Sequence, residues 1–592
     1  MRAQKLPLDK FAIAAALQET AARLELKGGE YFKARAFKIG ARAVAELTED
    51  IGKLINENRL TLVKGIGQTL AKQIAELYAT GESSFLSKLR AELPAGILEL
   101  ANVPGLNVKK VERLQEALGV SSIDELKAAC EAGKVRNVKG FGVKTEQKIL
   151  EAITSQEQPE QRIHIHHALR AGERLFEYVE TAPGFIEGEL AGSLRRWQET
   201  VSQIVVVVCA KQPEALIDYV LGFPLIMRVA EKTRRHCSVV LSEGFKAKLF
   251  AVKPDEYPVA LLRATGSEAH LKKLDQIAAT QKLKLTESGI EKLPRSRAKN
   301  QTPARSIRVK SEWEIYDRLG MQYVPPELRE DAGEVEAALN SSLPEDLITE
   351  DDIQGMVHCH TMYSDGKHSI EQMAHAAQSM GMKYLTITDH SPTAFYAGGV
   401  KIDQLQQQWE EIERVREQAK IKILKGTESD ILADGSLDYP DWILEQFDVI
   451  VASIHSRYKM DEDKMTRRLT AAMRQPVFKI WGHALGRLIQ RRPPFDCRVE
   501  EILDVIAESR AAIEINGDPY RLDMEPLWLR EARKRKIKFV ISVDAHSTGA
   551  LNNLKFGVGI ARRGWVRRGE VLNTLPVKRF QKAVRPYQNR ER

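Results

Sequence analysis

Two patterns of hydrophobic and polar positions divide this sequence. From Leu8 to about Ile153, apolar residues recur at spacings of three and four, which is the period of amphipathic helices. Beyond Gly184, short apolar runs such as Ile204 to Cys209 and Lys248 to Val252 alternate with helical segments. From Met356 onward, short β runs that end in His or Asp alternate with helices. We therefore predict a helical N-terminal part, a mixed α/β middle and a C-terminal β/α barrel.

Three Gly-centred turns interrupt the helical part and resemble one another. They read Val63-Lys64-Gly65-Ile66-Gly67, Val103-Pro104-Gly105-Leu106-Asn107 and Val138-Lys139-Gly140-Phe141-Gly142. Glycine lets the backbone approach a phosphate closely, while the next helix presents unpaired N–H groups to it. The turns resemble helix-hairpin-helix motifs, which bind the DNA backbone. The residues expected to contact DNA are Gly65, Gly67, Gly105, Gly140, Gly142, Lys64 and Lys139. The middle turn has Asn107 instead of a second glycine and should bind less well.

Histidine and carboxylate residues follow successive predicted strands of the C-terminal part. They lie in His358-Cys359-His360, Ser364-Asp365-Gly366, Thr388-Asp389-His390, Gly426-Thr427-Glu428, Ser453-Ile454-His455, Gly482-His483 and Asp544-Ala545-His546. Imidazole and carboxylate together suit zinc, manganese or iron. A His-x-His pair places both rings on one side of a strand, because side chains alternate with a period of two. A lone histidine is more often a core residue, but nine candidates at strand ends predict a multinuclear metal site.

Composition narrows the class of protein. The 592 residues exceed the limit of about 250 to 300 for one core, so we expect several domains. Hydrophobic residues at 43% and charged residues at 29% are typical of a folded globular protein. The sequence has neither a membrane-length apolar run nor the features of a signal peptide, and its five cysteines lack CxxC spacing. We expect a cytoplasmic protein with reduced thiols and no membrane contact.

Charge adds only a mild indication of polyanionic partners. The net charge of +8 is spread over the whole chain. The stretch from Lys282 to Lys310 is strongly basic but also contains Ser, Pro and Asn, and we interpret it as a solvated linker.

The order of these parts resembles the bacterial family X DNA polymerases that carry a C-terminal polymerase-and-histidinol-phosphatase (PHP) domain. The resemblance rests on Gly192-Ser193-Leu194-Arg195-Arg196, Glu199-Thr200-Val201, Ala264-Thr265-Gly266-Ser267-Glu268-Ala269-His270, Glu314-Ile315-Tyr316 and Pro325-Pro326-Glu327-Leu328-Arg329-Glu330. It implies a multidomain α plus α/β protein. The implied domains are a helix-hairpin-helix DNA-binding domain over 1–153, a palm over 154–280, a thumb and linker over 281–352, and a PHP domain, a distorted β/α barrel, over 353–592.

The palm lacks the carboxylates that nucleotidyl transfer needs. Members of the family hold two magnesium ions with three carboxylates, and the matching positions here are Gln203, Val205 and Lys248. Gln is a weak neutral ligand, Val has no donor atom, and Lys places a cation where a metal should bind. We expect a degenerate palm without polymerase activity. The residues retained for phosphate binding are Gly192, Ser193 and Arg195.

The PHP resemblance also implies a complete set of metal ligands. The set is His358, His360, Asp365, His390, Glu428, His455, His483, Asp544 and His546, for up to three divalent ions (Mn, Zn or Fe). Such ions lower the pKa of bound water toward about 7 and neutralise phosphoryl charge. We expect Glu428 and Asp544 to be catalytic, with Glu428 as a bridging ligand. Arg457 and Arg487 are interpreted as phosphate clamps, with surface salt-bridge partners as the alternative. The nearby Arg521 is a further candidate clamp.

These features predict a metal-dependent DNA phosphoesterase, a 3′–5′ exonuclease of DNA repair that acts on gapped, nicked or 3′ ends. Two alternatives remain. The first is a small-molecule phosphatase resembling histidinol-phosphate phosphatase, against which the DNA-binding helices argue. The second is a non-catalytic scaffold that binds DNA ends through the degenerate palm.

Overall fold

The chain divides into two compact units. The computed structural model describes residues 8, 10–27, 30–45, 47, 51–63, 65–92, 100, 103, 105–154, 162–242, 244–286, 289–292 and 306–587. The first unit comprises Met1–Arg162, Asp218–Thr233 and Cys237–Lys248, and the second comprises Ile163–Ile217, Arg234–His236 and Leu249–Arg592. Lys64, an expected DNA contact, and residues 287–288 and 293–305 of the basic stretch lie outside the described residues.

The N-terminal part of the first unit is helical, as the apolar spacing predicted. Its helices are Lys10–Lys27, Tyr31–Ala45, Ile51–Asn56, Gln68–Thr80, Ser84–Glu92, Val108–Leu118, Ile123–Glu131 and Val143–Thr154. Apolar side chains from these helices form two cores, one that includes Leu17 and Ile74 and one that includes Val111 and Ile149. In this unit the strand Ile226–Lys232 also pairs antiparallel with His236–Leu241, whose first residue belongs to the second unit.

The second unit begins with mixed α/β structure. Its strands before the barrel are Ile163–His164, Phe185–Ala191, Thr200–Val201, Ile204–Ala210, Leu283–Thr286, Gly289–Lys292 and Ser306–Ile307. Its helices there are Ile165–Glu180, Gly192–Arg195, Tyr257–Thr265, Glu268–Thr280, Glu312–Arg318 and Glu334–Leu339. The elements Pro213–Val220 and Lys246–Val252 contain residues of both units. The strand Ile204–Ala210, predicted from its unbroken apolar run, is buried along its whole length and pairs antiparallel with Phe185–Ala191.

Seven parallel strands in sequential order form the C-terminal barrel. They are Gly355–Met356, Tyr384–Ile387, Lys422–Asp430, Val449–Ser453, Lys479–Trp481, Ala511–Asn516 and Phe539–Ser542. The surrounding helices are Ile370–Ser379, Ile402–Gln418, Asp441–Leu444, Glu462–Arg474, Val499–Glu508, Pro526–Lys534, Leu554–Arg563 and Val577–Val584. A parallel bridge between Cys359 and Ala545 joins the segments after the first and last strands. The predicted distorted β/α barrel is therefore confirmed.

Burial explains why these strands are apolar runs rather than alternating patterns. Parallel strands with helices outside are covered on both faces. The strands Tyr384–Ile387 and Phe539–Ser542 are buried at every position, and Val451 and Ile480 belong to a shared core. Among the described residues, no helix combines the length and the apolar composition that a membrane crossing would need.

Candidate metal centre

The carboxyl ends of the barrel strands bring the nine predicted ligands together. His358, His360 and Asp365 follow the first strand, His390 follows the second, Glu428 lies within the third, His455 follows the fourth, His483 follows the fifth, and Asp544 and His546 follow the seventh. Parallel strands of a barrel all end at one face, so loops distant in sequence meet there. His483 and Asp544 have left-handed φ angles of 26° and 51°. Such backbone strain outside glycine concentrates at functional sites.

The candidate ligand atoms fall into three overlapping groups, and within each group they lie no more than 4.8 Å apart. The groups are His360, Asp365, His390 and His546; His358, His360, Glu428 and Asp544; and His390, Glu428 and His455. His483 joins them through its Nε2 atom, 2.8 Å from Glu428 Oε1 and 3.2 Å from His455 Nε2. Because the groups share residues, they form one continuous cluster of candidate ligands.

Glu428 lies at the centre of this cluster. It is fully buried, and its Oε1 atom lies 3.4 Å from His358 Nε2 and 3.3 Å from His455 Nε2. Its Oε2 atom lies 2.9 Å from His390 Nδ1 and 3.5 Å from His360 Nε2. A carboxylate whose two oxygens face different imidazoles can serve two cations at once, as expected of a bridging ligand.

The charges in the cluster shift one another's pKa values. Burial would favour the neutral form of Glu428, but the neighbouring imidazoles, above all His455, hold its pKa well below the ordinary range. Burial likewise disfavours the charged form of His455, yet Glu428 and Asp430 raise its pKa to about 10. The carboxylates therefore stay ionised and attract positive charge, which is the property that a cation site requires.

The unpaired polar atoms of the cluster also fit bound cations. His358 Nε2, His390 Nδ1 and Glu428 Oε2 are buried and make no hydrogen bond. Buried polar atoms are normally paired, so such a group calls for an explanation such as an ion. The Nε2 atoms of His455 and His483 face each other at 3.2 Å and can share at most one proton. The donor set of imidazole nitrogen and carboxylate oxygen suits zinc, manganese or iron.

Two buried carboxylates orient the imidazoles of the cluster. Neither was predicted from the sequence. The Nδ1 atom of His358 donates to Glu514 Oε1 at 2.6 Å, and that of His455 donates to Asp430 Oδ1 at 2.6 Å. A carboxylate on Nδ1 fixes the tautomer and directs Nε2 toward a metal. The sequence could have indicated Glu514, because it is the single charged residue of the largely buried strand Ala511–Asn516.

The arginines near the cluster have different partners. Arg487 is buried, and it donates through Nη2 to Glu199 Oε1 at 2.7 Å and through Nε to the carbonyl oxygen of Arg521 at 2.9 Å. Arg521 itself lies with its Nε atom 3.3 Å from Asp544 Oδ2. Arg457 is exposed and has a left-handed φ of 55°. The structure thus brings Arg521, rather than Arg487, into contact with a candidate ligand.

The palm turn needs glycine for its conformation and for space. Gly192 has a φ of 67°, and a Cβ atom there would lie 3.0 Å from Val205 Cγ2. Gly192 and Ser193 begin the short helix Gly192–Arg195. Val205, which the resemblance is expected to match to a palm carboxylate, is a buried apolar residue beside this turn.

Arg195, expected to bind phosphate, is held by carboxylates of its own chain. Its Nε atom lies 2.6 Å from Glu189 Oε2, and its Nη2 atom lies 2.9 Å from Glu312 Oε2. The neighbouring Arg196 lies 2.5 Å from Glu330 Oε1. The positive charge of both guanidinium groups is therefore already compensated.

The three Gly-centred turns share one geometry. Gly65, Gly105 and Gly140 have φ angles of 96°, 92° and 93°. In each turn the residue after this glycine donates its N–H to the carbonyl two residues before the glycine, at 3.0, 2.9 and 2.9 Å. Gln68–Thr80, Val108–Leu118 and Val143–Thr154 are the helices that follow. Lys139 is exposed beside the third turn.

The middle turn differs at the start of its helix. The side-chain oxygen of Asn107 accepts a hydrogen bond from the backbone N–H of Lys110 at 3.0 Å. Gly67 and Gly142, at the equivalent positions, have no side chain that could do so. Asn107 therefore gives the N–H of Lys110 a side-chain acceptor that the other two turns lack.

The fold and the site define a multidomain protein in which a PHP barrel follows polymerase-type domains. Four family profiles match the chain, and they are described as a helix-hairpin-helix domain (residues 9–83), a SAM-like helix-hairpin-helix tandem (97–154), a DNA polymerase beta thumb (260–330) and a PHP domain (357–518). The PHP match ends before the last barrel strand, although Asp544 and His546 belong to the same cluster of ligand atoms.

Whole-chain similarity identifies the family. The chain is 35% identical over 565 residues to the DNA polymerase/3′-5′ exonuclease PolX of Bacillus subtilis (strain 168), covering 95% of this chain and 97% of that protein. It therefore belongs to the bacterial family X DNA polymerases with a C-terminal PHP domain. The barrel region is also similar to probable phosphatases of Thermoanaerobacter sp. (strain X514), 27% identical over 37% of this chain and 89% of that protein, and of Caldanaerobacter subterraneus subsp. tengcongensis, 29% identical over 32% and 74%.

Proposed function

We propose that this chain is a metal-dependent DNA phosphoesterase that acts as a 3′–5′ exonuclease in DNA repair. The observation that carries the proposal is the convergence of nine imidazole and carboxylate side chains at one face of the barrel. Its Bacillus subtilis relative is named as both a polymerase and a 3′-5′ exonuclease, and the PHP match covers most of the candidate site.

The proposed ligands divide among up to three divalent cations, manganese, zinc or iron. They are His358, His360, Asp365, His390, Glu428, His455, His483, Asp544 and His546. Cations bound there supply Lewis-acid activation of water and neutralise phosphoryl charge. Glu428 and Asp544 are ionised at neutral pH, because neighbouring imidazoles outweigh burial and hold both pKa values well below their ordinary range. Arg521, beside Asp544, is placed to bind a phosphoryl oxygen.

The helix-hairpin-helix turns would bring the substrate to the barrel. Their exposed glycines and Lys139 favour contacts with DNA phosphates that do not depend on base sequence. The proposed substrates are gapped or nicked DNA and 3′ ends. In this proposal, 1–153 is the DNA-binding domain, 154–280 the palm, 281–352 the thumb and linker, and 353–592 the catalytic domain.

Loss of polymerase activity is part of the same proposal. Val205 offers no ligand atom, Gln203 is neutral, and Lys248 carries a positive charge at the third family position. Two magnesium ions could not be held by this set, because hard cations of that kind require oxygen ligands, usually carboxylates. The ion pairs of Arg195 further weaken the palm as a nucleotide site.

The test uses the purified chain with Mn²⁺, a 5′-labelled primer-template and, in a parallel reaction, deoxynucleotides. We expect stepwise shortening of the primer and no template-dependent extension. His358→Ala should reduce shortening to background, because it removes an imidazole at the centre of the cluster. His375→Ala, which changes an exposed histidine of the same barrel, is the matched control and should retain activity.

Three results would contradict parts of this proposal. Rapid hydrolysis of a small phosphomonoester without any primer shortening would favour the alternative hypothesis of a small-molecule phosphatase. The similarity to probable phosphatases such as the 27% identical Thermoanaerobacter protein suggests that hypothesis. Extension that persists after contaminating polymerases are removed would show that the palm is active. DNA binding without primer shortening or extension would favour the hypothesis of a non-catalytic scaffold.

A further inference from the structure

We propose that Glu199, a residue of the palm segment, positions Arg521 at the metal centre through Arg487. This inference rests on the proposed function of the same site. It assigns Arg487 a positioning role instead of direct contact with phosphate. It also means that a residue of the palm segment affects the reaction at the barrel.

Arg487 connects the palm segment to the loop that carries Arg521. Its Nη2 atom lies 2.7 Å from Glu199 Oε1, and its Nη1 atom lies 3.0 Å from Glu525 Oε1. Its Nε atom donates to the carbonyl oxygen of Arg521 at 2.9 Å, and Nη2 also donates to that of Leu522. A single guanidinium therefore holds two carboxylates and two consecutive carbonyl groups in one arrangement.

The loop after the sixth barrel strand also accepts hydrogen bonds from backbone N–H groups of the loop after the fifth strand. The N–H of Ile489 donates to the carbonyl oxygen of Tyr520 at 2.8 Å, and that of Leu485 donates to Asp523 Oδ2 at 3.0 Å. These contacts hold the loop at Tyr520 and Asp523, and Arg487 holds the carbonyl groups of the two residues between them.

Arg521 connects this loop to the candidate metal ligands. Its Nε atom is buried and makes no hydrogen bond, although it lies 3.3 Å from Asp544 Oδ2 and 3.7 Å from Asp518 Oδ2. A guanidinium held in this way lies beside the candidate ligand Asp544, where it could contact a phosphoryl oxygen of a bound substrate. Small displacements of such a group reduce the rate without removing the metal ligands.

Loss of Glu199 should disturb this arrangement because Arg487 is buried. Removing one partner of a buried ion pair leaves its cation less compensated and destabilises the arrangement, so Arg487 would be held only by Glu525 and the two carbonyl groups. The nine candidate ligands are unchanged, so the expected effect is on kcat rather than on metal content.

The experiment compares Glu199→Ala, Glu199→Gln and the matched control Glu173→Ala in the full chain. Glu173 belongs to another ion pair between palm and barrel, with Lys555 at 3.7 Å, and does not contact Arg487. For primer shortening with Mn²⁺, Glu199→Ala should lower kcat by about tenfold to a hundredfold, with KM within about twofold of the unchanged chain. Glu199→Gln keeps an oxygen that accepts from Arg487 and should retain most of kcat, as should Glu173→Ala.

A double substitution tests whether the residues act in series. Adding Glu199→Ala to Arg521→Ala should lower kcat no further than Arg521→Ala alone, which is less than the product of the two separate effects. Manganese content and thermal stability are measured for every variant. The inference is overturned if Glu199→Ala keeps the full kcat, if it loses manganese in proportion to rate, or if the double variant is additive. Absence of primer shortening by the unchanged chain would instead contradict the proposed function itself.

Discussion

Single buried carboxylates decide how the imidazoles of the metal centre are oriented. Glu514 contacts His358 and also accepts hydrogen bonds from Ser542 Oγ at 2.5 Å and Asn516 Nδ2 at 3.1 Å. Burial would raise the pKa of Glu514, but His358 and His483 outweigh it and lower that pKa. The residue is thus an ionised partner that keeps the Nε2 atom of His358 directed at Glu428 and Asp544.

Glu514→Gln should therefore weaken metal binding without removing a ligand. The amide lacks the charge that holds the proton on His358 Nδ1, and we expect manganese affinity to fall by about 10- to 100-fold. Titration of the metal-free protein with Mn²⁺, followed by bound metal and by primer shortening, measures this. Glu508→Gln, at an exposed position of the preceding helix, is the control, and equal affinity in both variants would contradict the role given to Glu514.

At the scale of elements, the helix that follows each Gly-centred turn is the proposed unit of DNA contact. The three turns have the same backbone geometry, but Asn107 caps its own helix and occupies the N–H of Lys110. Since a helix N-terminus binds anions through free N–H groups, the middle turn should contribute least to DNA affinity.

Asn107→Gly should increase the affinity for duplex DNA, because it removes the side-chain oxygen that competes with a phosphate for that N–H. The expected gain is about fivefold, the equivalent of one net hydrogen bond. Fluorescence anisotropy with a labelled duplex at fixed salt measures it. Ser122→Gly removes a comparable cap from the helix Ile123–Glu131 and should leave affinity unchanged; an equal gain there would refute the explanation.

At the scale of the whole molecule, buried neutral histidines make folding dependent on pH. His166 is 7% exposed, with its ring 3.9 Å from His167 and 4.8 Å from Tyr520. Burial, with contributions from the charges of His167, His164 and Arg170, lowers the pKa of His166 to about 2. The unfolded chain takes up this proton near pH 6.5, at about the ordinary value, but the folded chain does not.

Stability of the second unit should therefore fall as the pH drops below about 6.5, with His166 contributing at most about 1.4 kcal/mol per pH unit. His166→Gln should lose less stability than the unchanged chain between pH 7.5 and 5.0. All seven tryptophans lie in the second unit, so urea unfolding followed by their fluorescence reports on it. His375→Gln, at an exposed site, should behave like the unchanged chain, and identical pH profiles for all three would contradict this account.

Much of the molecule was determined by the sequence itself. Helical and strand periods predicted the helical part, the mixed middle and the barrel, because amphipathic spacing records which side of each element is buried. The glycines of the three turns could be interpreted from sequence, since their backbone angles favour residues without a Cβ atom. The spacing of His and carboxylate residues after successive strands likewise predicted which side chains would meet.

Only the tertiary structure decided how these side chains are paired. Glu514 contacts His358 across 156 positions, and Glu199 reaches Arg487 across 288. No local pattern records such contacts, because they depend on how loops from different strands are packed at one face of the barrel. For that reason the sequence indicated the candidate metal centre, while the contacts of Arg487 and Arg521 were decided by the distances that the fold imposes.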